Sequence, residues 1–269
     1  MIYNVLSIAG TDPSGGAGIS ADLKTFSALG VFGTAVIAAV VAQNTRGVSA
    51  VHQLSGEFVE RQLRTLIDDV RIDAVKIGML GTADVVRSVA AVLKEYDLPL
   101  VVLDPVMVAK SGDRLLAADA VLALRDDLLP HCDLVTPNLP EAADLLGEAE
   151  AVDEDAMRTQ LARLTELAPG FLLKGGHLSG DSSVDLLSVD GKITRLTAPR
   201  IATKNTHGTG CTLSAAIAAL RPQHPDWLTA VHLAKTYLTA AISTSDQLDV
   251  GSGHGPVQHF HAVWPPGSG

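Results

Sequence analysis

Short β-branched runs alternate along this chain with longer stretches of helical period, and that alternation builds a parallel sheet covered by helices on both faces. Strands are expected at residues 4–9, 34–42, 74–77, 100–103, 134–136 and 171–173. Phe58, Val59, Leu63, Leu66, Ile67 and Val70 recur at helical spacing with Glu60, Arg61, Arg64 and Asp68 opposite, the pattern of an amphipathic covering helix. Residues 84–96 and 117–129 read likewise, and 153–167 opens on three acids, suited to the positive end of a helix. After Lys174 the pattern changes. Residues 184–189, the turn pair Asp190-Gly191 and residues 193–196 read as a β-hairpin, expected at an antiparallel edge. Helices over 208–220 and 227–245 complete an α/β fold.

The length of 269 residues is enough for a large core, and the absence of repeats, linkers or a composition break predicts one domain over 1–264 with a frayed tail at 265–269. Although 47% of residues are hydrophobic, charges, Gly or Pro interrupt every run before membrane-spanning length, so no membrane partner is expected. A net charge of -10 argues against a nucleic-acid backbone as principal partner. Cys132 and Cys211 are too few and too far apart for a disulfide framework or zinc cluster. Met1 runs straight into the first strand without a basic leader or small-residue cleavage site, so a cytoplasmic protein is expected.

Two glycine-rich turns stand out. The first, Gly10-Thr11-Asp12-Pro13-Ser14-Gly15-Gly16-Ala17-Gly18, links the first strand to a helix, but Gly16 stands where a P-loop needs lysine, and the spacing is not GxGxxG. It reads equally as a tight strand-to-helix turn or as a place where backbone meets ligand. The second, Thr206-His207-Gly208-Thr209-Gly210-Cys211, opens an apolar helix with no proline to stop it. Its unpaired N–H groups and helix dipole suit a phosphate, and its glycines allow close approach. Read otherwise, it is a glycine-lined packing contact.

Further residues fall at strand ends, the rim where open α/β sheets bind ligands. Asn138 and Glu141, three apart in Thr136-Pro137-Asn138-Leu139-Pro140-Glu141, suit one hydrated Mg²⁺, or else a helix cap and its partner. Asp104-Pro105-Val106-Met107 ends another strand. Gln43 offers an amide complementary to an amino group beside a ring nitrogen, although by itself it reads better as a loop-stabilising glutamine. In Lys174-Gly175-Gly176-His177 a cation is placed to face phosphate oxygens. Lys235 reads as an ordinary solvated lysine, and His254, His259 and His261 as structural rather than metal-binding, since no cysteine or acid accompanies them.

Taken together, these segments with Ala42-Gln43-Asn44-Thr45, Lys76-Ile77-Gly78-Met79, Gly253-His254-Gly255-Pro256 and His259-Phe260-His261 resemble the hydroxymethylpyrimidine/phosphomethylpyrimidine kinases of thiamine biosynthesis, nearly end to end. Each motif alone is unspecific; the combination is not. The resemblance implies a ribokinase-like three-layer sandwich, with a mostly parallel central sheet, helices on both faces and an antiparallel edge hairpin. It also implies ATP-dependent phosphorylation of 4-amino-5-hydroxymethyl-2-methylpyrimidine and then of its monophosphate, with ATP and Mg²⁺ as cofactors and a homodimer as the assembly. On the same resemblance Gln43 reads the pyrimidine with Gly10, Asp12, Met79 and Val106 as pocket neighbours.

The remaining assignments follow the phosphate. Lys174, Gly176 and Thr209 serve the nucleotide, Asn138 and Glu141 the metal, and Gly208, Gly210 and Cys211 the transfer. Most of the superfamily carries an aspartate base where Cys211 stands; the pyrimidine-kinase branch carries cysteine. A thiol at a helix N-terminus is expected to have a lowered pKa and to accept the substrate hydroxyl proton near neutrality. The counter-reading is that Cys211 orients the hydroxyl while the Gly208 to Gly210 amides hold the phosphate. A pyridoxal or pyridoxine kinase and a non-catalytic vitamin-precursor binder are the competing functions.

Overall fold

A computed structural model describes residues 1–107, 116–176, 178 and 180–264. The expected tail at 265–269 and His177 lie outside the described residues. Among the described residues, nine strands form one sheet: β1 Asn4–Gly10, β2 Phe32–Asn44, β3 Gly47–Gln53, β4 Ala74–Ile77, β5 Val101–Leu103, β6 Leu134–Val135, β7 Phe171–Lys174, β8 Ser182–Val189 and β9 Lys192–Pro199. Their order is β3-β2-β1-β4-β5-β6-β7-β8-β9. The run from β2 to β7 is parallel, whereas β3 on one side and β8 and β9 on the other are antiparallel.

The sheet therefore has two antiparallel margins where the sequence predicts one. β3 escapes prediction because its side chains are exposed or half-buried along its whole length, so no alternation marks it.

The helices are α1 Gly18–Ala28, α2 Gly56–Ile67, α3 Ala83–Tyr96, α4 Ala118–Ala123, α5 Leu139–Leu146, α6 Glu154–Leu164, α7 Thr209–Leu220 and α8 Trp227–Ser243. Side-chain alternation divides them between two faces. Leu6, Ile8, Val75, Ile77, Val101 and Leu103 pack under α2 to α6, while Val5, Ala74 and Val102 face α1, α7 and α8. Helix α7 is buried at every residue from Thr212 to Leu220, as befits a helix apolar on all sides. Thr136, Asn138, Lys174 and their counterparts at the other strand ends all emerge along one rim.

Two local expectations change. Phe58 is 51% exposed and leaves the apolar stripe of α2, which rests on Val59 and Leu63. The single helix expected over 117–129 is α4, followed by a widened π turn at Leu124–Leu128 and a tight 3-10 turn at Leu129–His131, where Pro130 blocks regular helix.

Candidate active site

The rim opens into a cavity of about 770 Å³. Its wall includes Gly10, Asp12, Gln43, Met79 and Val106 at the ends of β1, β2, β4 and β5. It continues through Asn138, Glu141, Lys174 and Gly176 to Gly208, Thr209, Gly210 and Cys211 at the start of α7. Topology thus brings every candidate site residue to one concavity, although not always in the expected role.

The two glycine-rich turns touch. Gly208 adopts left-handed backbone (φ +78°), and a Cβ there would lie 1.7 Å from the Gly16 carbonyl oxygen. Only glycine satisfies both conditions. Thr209, Gly210 and Cys211 follow as the first residues of α7, whose N-terminus has no capping side chain and no acid in its first turn. Their N–H groups have no helical carbonyl behind them and point toward the cavity end. A Cβ on Gly210 would sit 3.3 Å from Asp104 Oδ2 and 3.5 Å from Lys174 Nζ, so a cation stands beside the free amides.

Asp12 is spoken for by the protein. Oδ1 accepts from Ser14 N (2.8 Å) and Ser14 Oγ (2.7 Å), and Oδ2 from Gly16 N (3.2 Å), Ala17 N (2.9 Å) and His207 Nε2 (2.7 Å). Burial pulls its pKa upward, but the His207 and Ser14 hydrogen bonds prevail and hold it at about 2. The expected pocket neighbour is an organiser of the first glycine turn, with no lone pair left for a ligand.

Asn138 and Glu141 form a reciprocal capping box on α5. Glu141 N donates to Asn138 Oδ1 (2.9 Å) and Asn138 N donates to Glu141 Oε2 (2.8 Å). This weakens the expected metal pair, because the asparagine oxygen serves the helix. Glu141 remains a buried carboxylate 4.0 Å from Lys174 Nζ, which also donates to Asp104 Oδ1 at 3.1 Å. Burial raises Glu141 to about 7 against the pull of Lys174. Two carboxylates sharing one ammonium leave an excess negative charge, which suits a cation. Among the described residues no group of three His, Cys, Asp or Glu side chains is set to hold a metal.

A folded pKa above the unfolded one favours the folded protein below about pH 4.5, and that benefit fades as pH rises through about 7. Glu141→Gln keeps a carbonyl for the cap and cannot ionise. It is expected to remove the decline, leaving the variant more stable than the parent at pH 8 by about 1–3 kcal/mol. Urea denaturation at pH 5 and pH 8 reads the difference; parallel pH dependences would contradict it.

Cys211 departs most from expectation. Burial pushes its thiol up to about 11, although Lys76 and a hydrogen bond from the Gly18 backbone pull the other way. Helix-start donors do not outweigh desolvation here. Beneath it lies a group whose importance the sequence conceals. Lys76, fully buried in β4, donates to Asp22 Oδ1 (2.8 Å) and Oδ2 (2.7 Å), and Ser7 Oγ donates to Asp22 Oδ2 at 2.6 Å. Burial opposes its charge, but Asp22, Cys211 and Asp104 hold the ammonium above its ordinary range. A lysine inside an otherwise apolar four-residue strand is the one signal that marks it.

Lys235, expected in solvent, is buried on α8 and paired with Asp185 Oδ2. Asp185 also receives the Gly175 N–H at 3.1 Å, so this pair braces the turn that carries Gly176. The late histidines are structural. His259 Nε2 contacts Thr212 Oγ1 (3.1 Å), His261 packs on Tyr237, and His254 Nδ1 meets the Lys204 carbonyl (3.2 Å).

The phosphomethylpyrimidine kinase family model matches residues 12–258. The chain is also 56% identical over 262 residues to the hydroxymethylpyrimidine/phosphomethylpyrimidine kinase of Escherichia coli K12, covering 97% of this chain and 98% of the relative. The chain belongs to the phosphomethylpyrimidine kinase family. Solved relatives of this kinase include an ADP complex of Bacillus subtilis pyridoxal kinase, with a TM-score of 0.90, 36% identity and coverage of 97% and 99%. A phosphomethylpyrimidine kinase from Clostridium difficile 630 superposes with a TM-score of 0.79, 38% identity and coverage of 89% and 99%. The ribokinase-like sandwich expected from the motifs is the fold observed.

His207 is the functional candidate that sequence reading missed. It lay inside the quoted turn, yet only the structure shows its ring between Asp12 and Gln43.

Proposed function

We propose that this kinase transfers the terminal phosphate of ATP to the hydroxymethyl group of 4-amino-5-hydroxymethyl-2-methylpyrimidine, and then a second phosphate to the monophosphate. The observation that carries the reading is the union, in one cavity, of the Gln43 amide with the free N-terminus of α7, bridged by His207. Gln43 meets the aminopyrimidine edge, Met79 and Val106 flank the ring, and Gly10 lets it lie against main chain. The Gly208 and Gly210 amides receive the transferred phosphate, where developing charge needs fixed donors. Lys174, Thr209 and Gly176 serve the nucleotide phosphates.

Mg²⁺ fits beside Glu141 and Asp104 better than between Asn138 and Glu141, because the capping box engages the asparagine oxygen. When bound, it supplies positive charge to the nucleotide oxygens. The Cys211 thiolate contacts the acceptor hydroxyl and takes its proton as the oxygen bonds to the terminal phosphorus and that phosphorus parts from the departing ADP oxygen. The free state of Cys132 and Cys211 accords with a reducing, cytoplasmic setting. Exposed Phe32, Val40, Val51 and Phe58 on β2, β3 and α2 accord with a homodimer of one-domain protomers spanning 1–264. Among the described residues no helix is long and apolar enough to cross a membrane.

Incubation with Mg-ATP and either the hydroxymethylpyrimidine or pyridoxal, followed by mass spectrometry, tests the reading. Two successive phosphate additions to the pyrimidine are expected. Pyridoxal phosphate as the sole product would favour the vitamin B6 kinase, and binding without ADP formation would favour a non-catalytic binder.

A further inference from the structure

His207 Nε2 stands 2.7 Å from Asp12 Oδ2 and 3.4 Å from Gln43 Nε2. The ring and the carboxylate are both buried, and Asp12 gathers three further N–H and O–H donors from Ser14 and Gly16 along with a fourth from Ala17. A carboxylate so placed is an ionised acceptor. An unprotonated Nε2 would set a lone pair against that oxygen, so Nε2 carries a proton and gives it to Asp12. The same nitrogen then has nothing to accept with, and the Gln43 NH₂ has no partner there. Half a turn of the carboxamide about its terminal bond exchanges nitrogen for oxygen with no other atom moving. Oε1 then becomes the second, longer acceptor of the N–H that Asp12 already receives, and the NH₂ group is released to the cavity.

We propose that His207, fixed in its Nε2–H form by Asp12, is a positioning residue that sets which way round the Gln43 amide meets the pyrimidine. The inference rests on Gln43 as the reader of that ring. The His207 ring lies against Gly16, whose carbonyl in turn meets Gly208, so Oε1 lies on the side of the phosphate turn and the NH₂ group on the far side. The exocyclic amino group of the pyrimidine pairs with Oε1, and the adjacent ring nitrogen accepts from the NH₂. In the substrate the amino group and the hydroxymethyl group occupy neighbouring carbons. An amino group held at Oε1 therefore turns the hydroxymethyl arm toward Gly208 and Cys211. The opposite amide orientation would seat the ring turned over, with the arm directed away. Recognition and alignment for transfer thus depend on one imidazole proton.

The test begins on the wild-type enzyme labelled with ¹⁵N-histidine, using long-range ¹H–¹⁵N NMR, with the His207 resonance assigned by its loss in His207→Gln. A protonated Nε2 at pH 7 to 8 is expected; the tautomer with a bare Nε2 overturns the proposal. Steady-state kinetics supply the second arm. His207→Leu is expected to raise KM for the pyrimidine about tenfold while KM for ATP stays within about twofold, one hydrogen-bonded contact being worth about that much. His207→Gln, whose two N–H donors serve Asp12 and Gln43 together, should recover most of the loss. Equal impairment by Leu and Gln means a packing role and overturns it. An unchanged pyrimidine KM in Gln43→Leu would instead sink the assignment of Gln43, while leaving the tautomer result standing.

Discussion

Cys211→Ala is expected to lower kcat by about 10²- to 10⁴-fold, the range spanned by loss of a general acid–base group. Pyrimidine KM should change little, because Gln43 and the ring-flanking residues remain. With the wild-type thiol raised to about 11, its reactive anion is scarce at neutrality and grows as pH rises. The sign follows directly: kcat/KM of the parent should climb between pH 6 and 9, and Cys211→Ala should lose that slope. Cys211→Ser separates proton transfer from orientation, since a hydroxyl keeps the hydrogen bond but not the acidity. A serine variant within about tenfold of wild type assigns orientation as the main role, and an alanine variant of near-normal turnover removes Cys211 from the chemistry altogether. Rate measurements across that pH range decide among these outcomes.

Lys76→Met should be the most destabilising of the substitutions considered, costing about 3–5 kcal/mol, because it leaves Asp22 charged and unpaired in a dry interior. Neither member of this pair reaches solvent. The expected signature is non-additivity. Lys76→Met with Asp22→Leu removes both charges and should recover at least half of the loss, the residue being mainly the orphaned Ser7 hydroxyl. Urea midpoints for the two single variants and the double variant provide the cycle. Equal stability of Lys76→Met and the double variant would show that Asp22 carries no penalty alone. Any loss of turnover in the double variant that outlasts the restored stability reports what Lys76 gives to Cys211 rather than to the fold.

What the sequence disclosed depended on which physical pattern each segment had to obey. Residues 74–77 were read with their true bounds because a parallel strand buried on both faces needs an unbroken apolar run, here broken only by Lys76. β3 has neither face buried and therefore no period to read. Phe58 matched the helical stripe by spacing, yet packing and not periodicity decides which members of a stripe find cover. The site followed the same logic. Gly208 is legible because its left-handed backbone and its contact with the Gly16 carbonyl demand glycine. Roles that turn on partners distant in sequence were not. Asp12 and His207 are 195 positions apart, and Lys235 meets Asp185 across 50. Cys211 was misjudged for a related reason: a helix start is visible in a sequence, whereas the burial that outweighs it is not.

The contact between Gly208 and the carbonyl of Gly16 divides the protein's mutational freedom. On the proposed reading, the phosphate cradle rests where main chain sits on main chain at Gly208 and Gly16, and no side chain at that contact can be exchanged to retune it. Its geometry can be inherited or lost, but not graded. Novelty in acceptor preference is expected at Gln43, Met79 and Val106, which line the cavity on the side proposed for the ring. Divergence within such a scaffold is then expected to move the ring and keep the phosphate still.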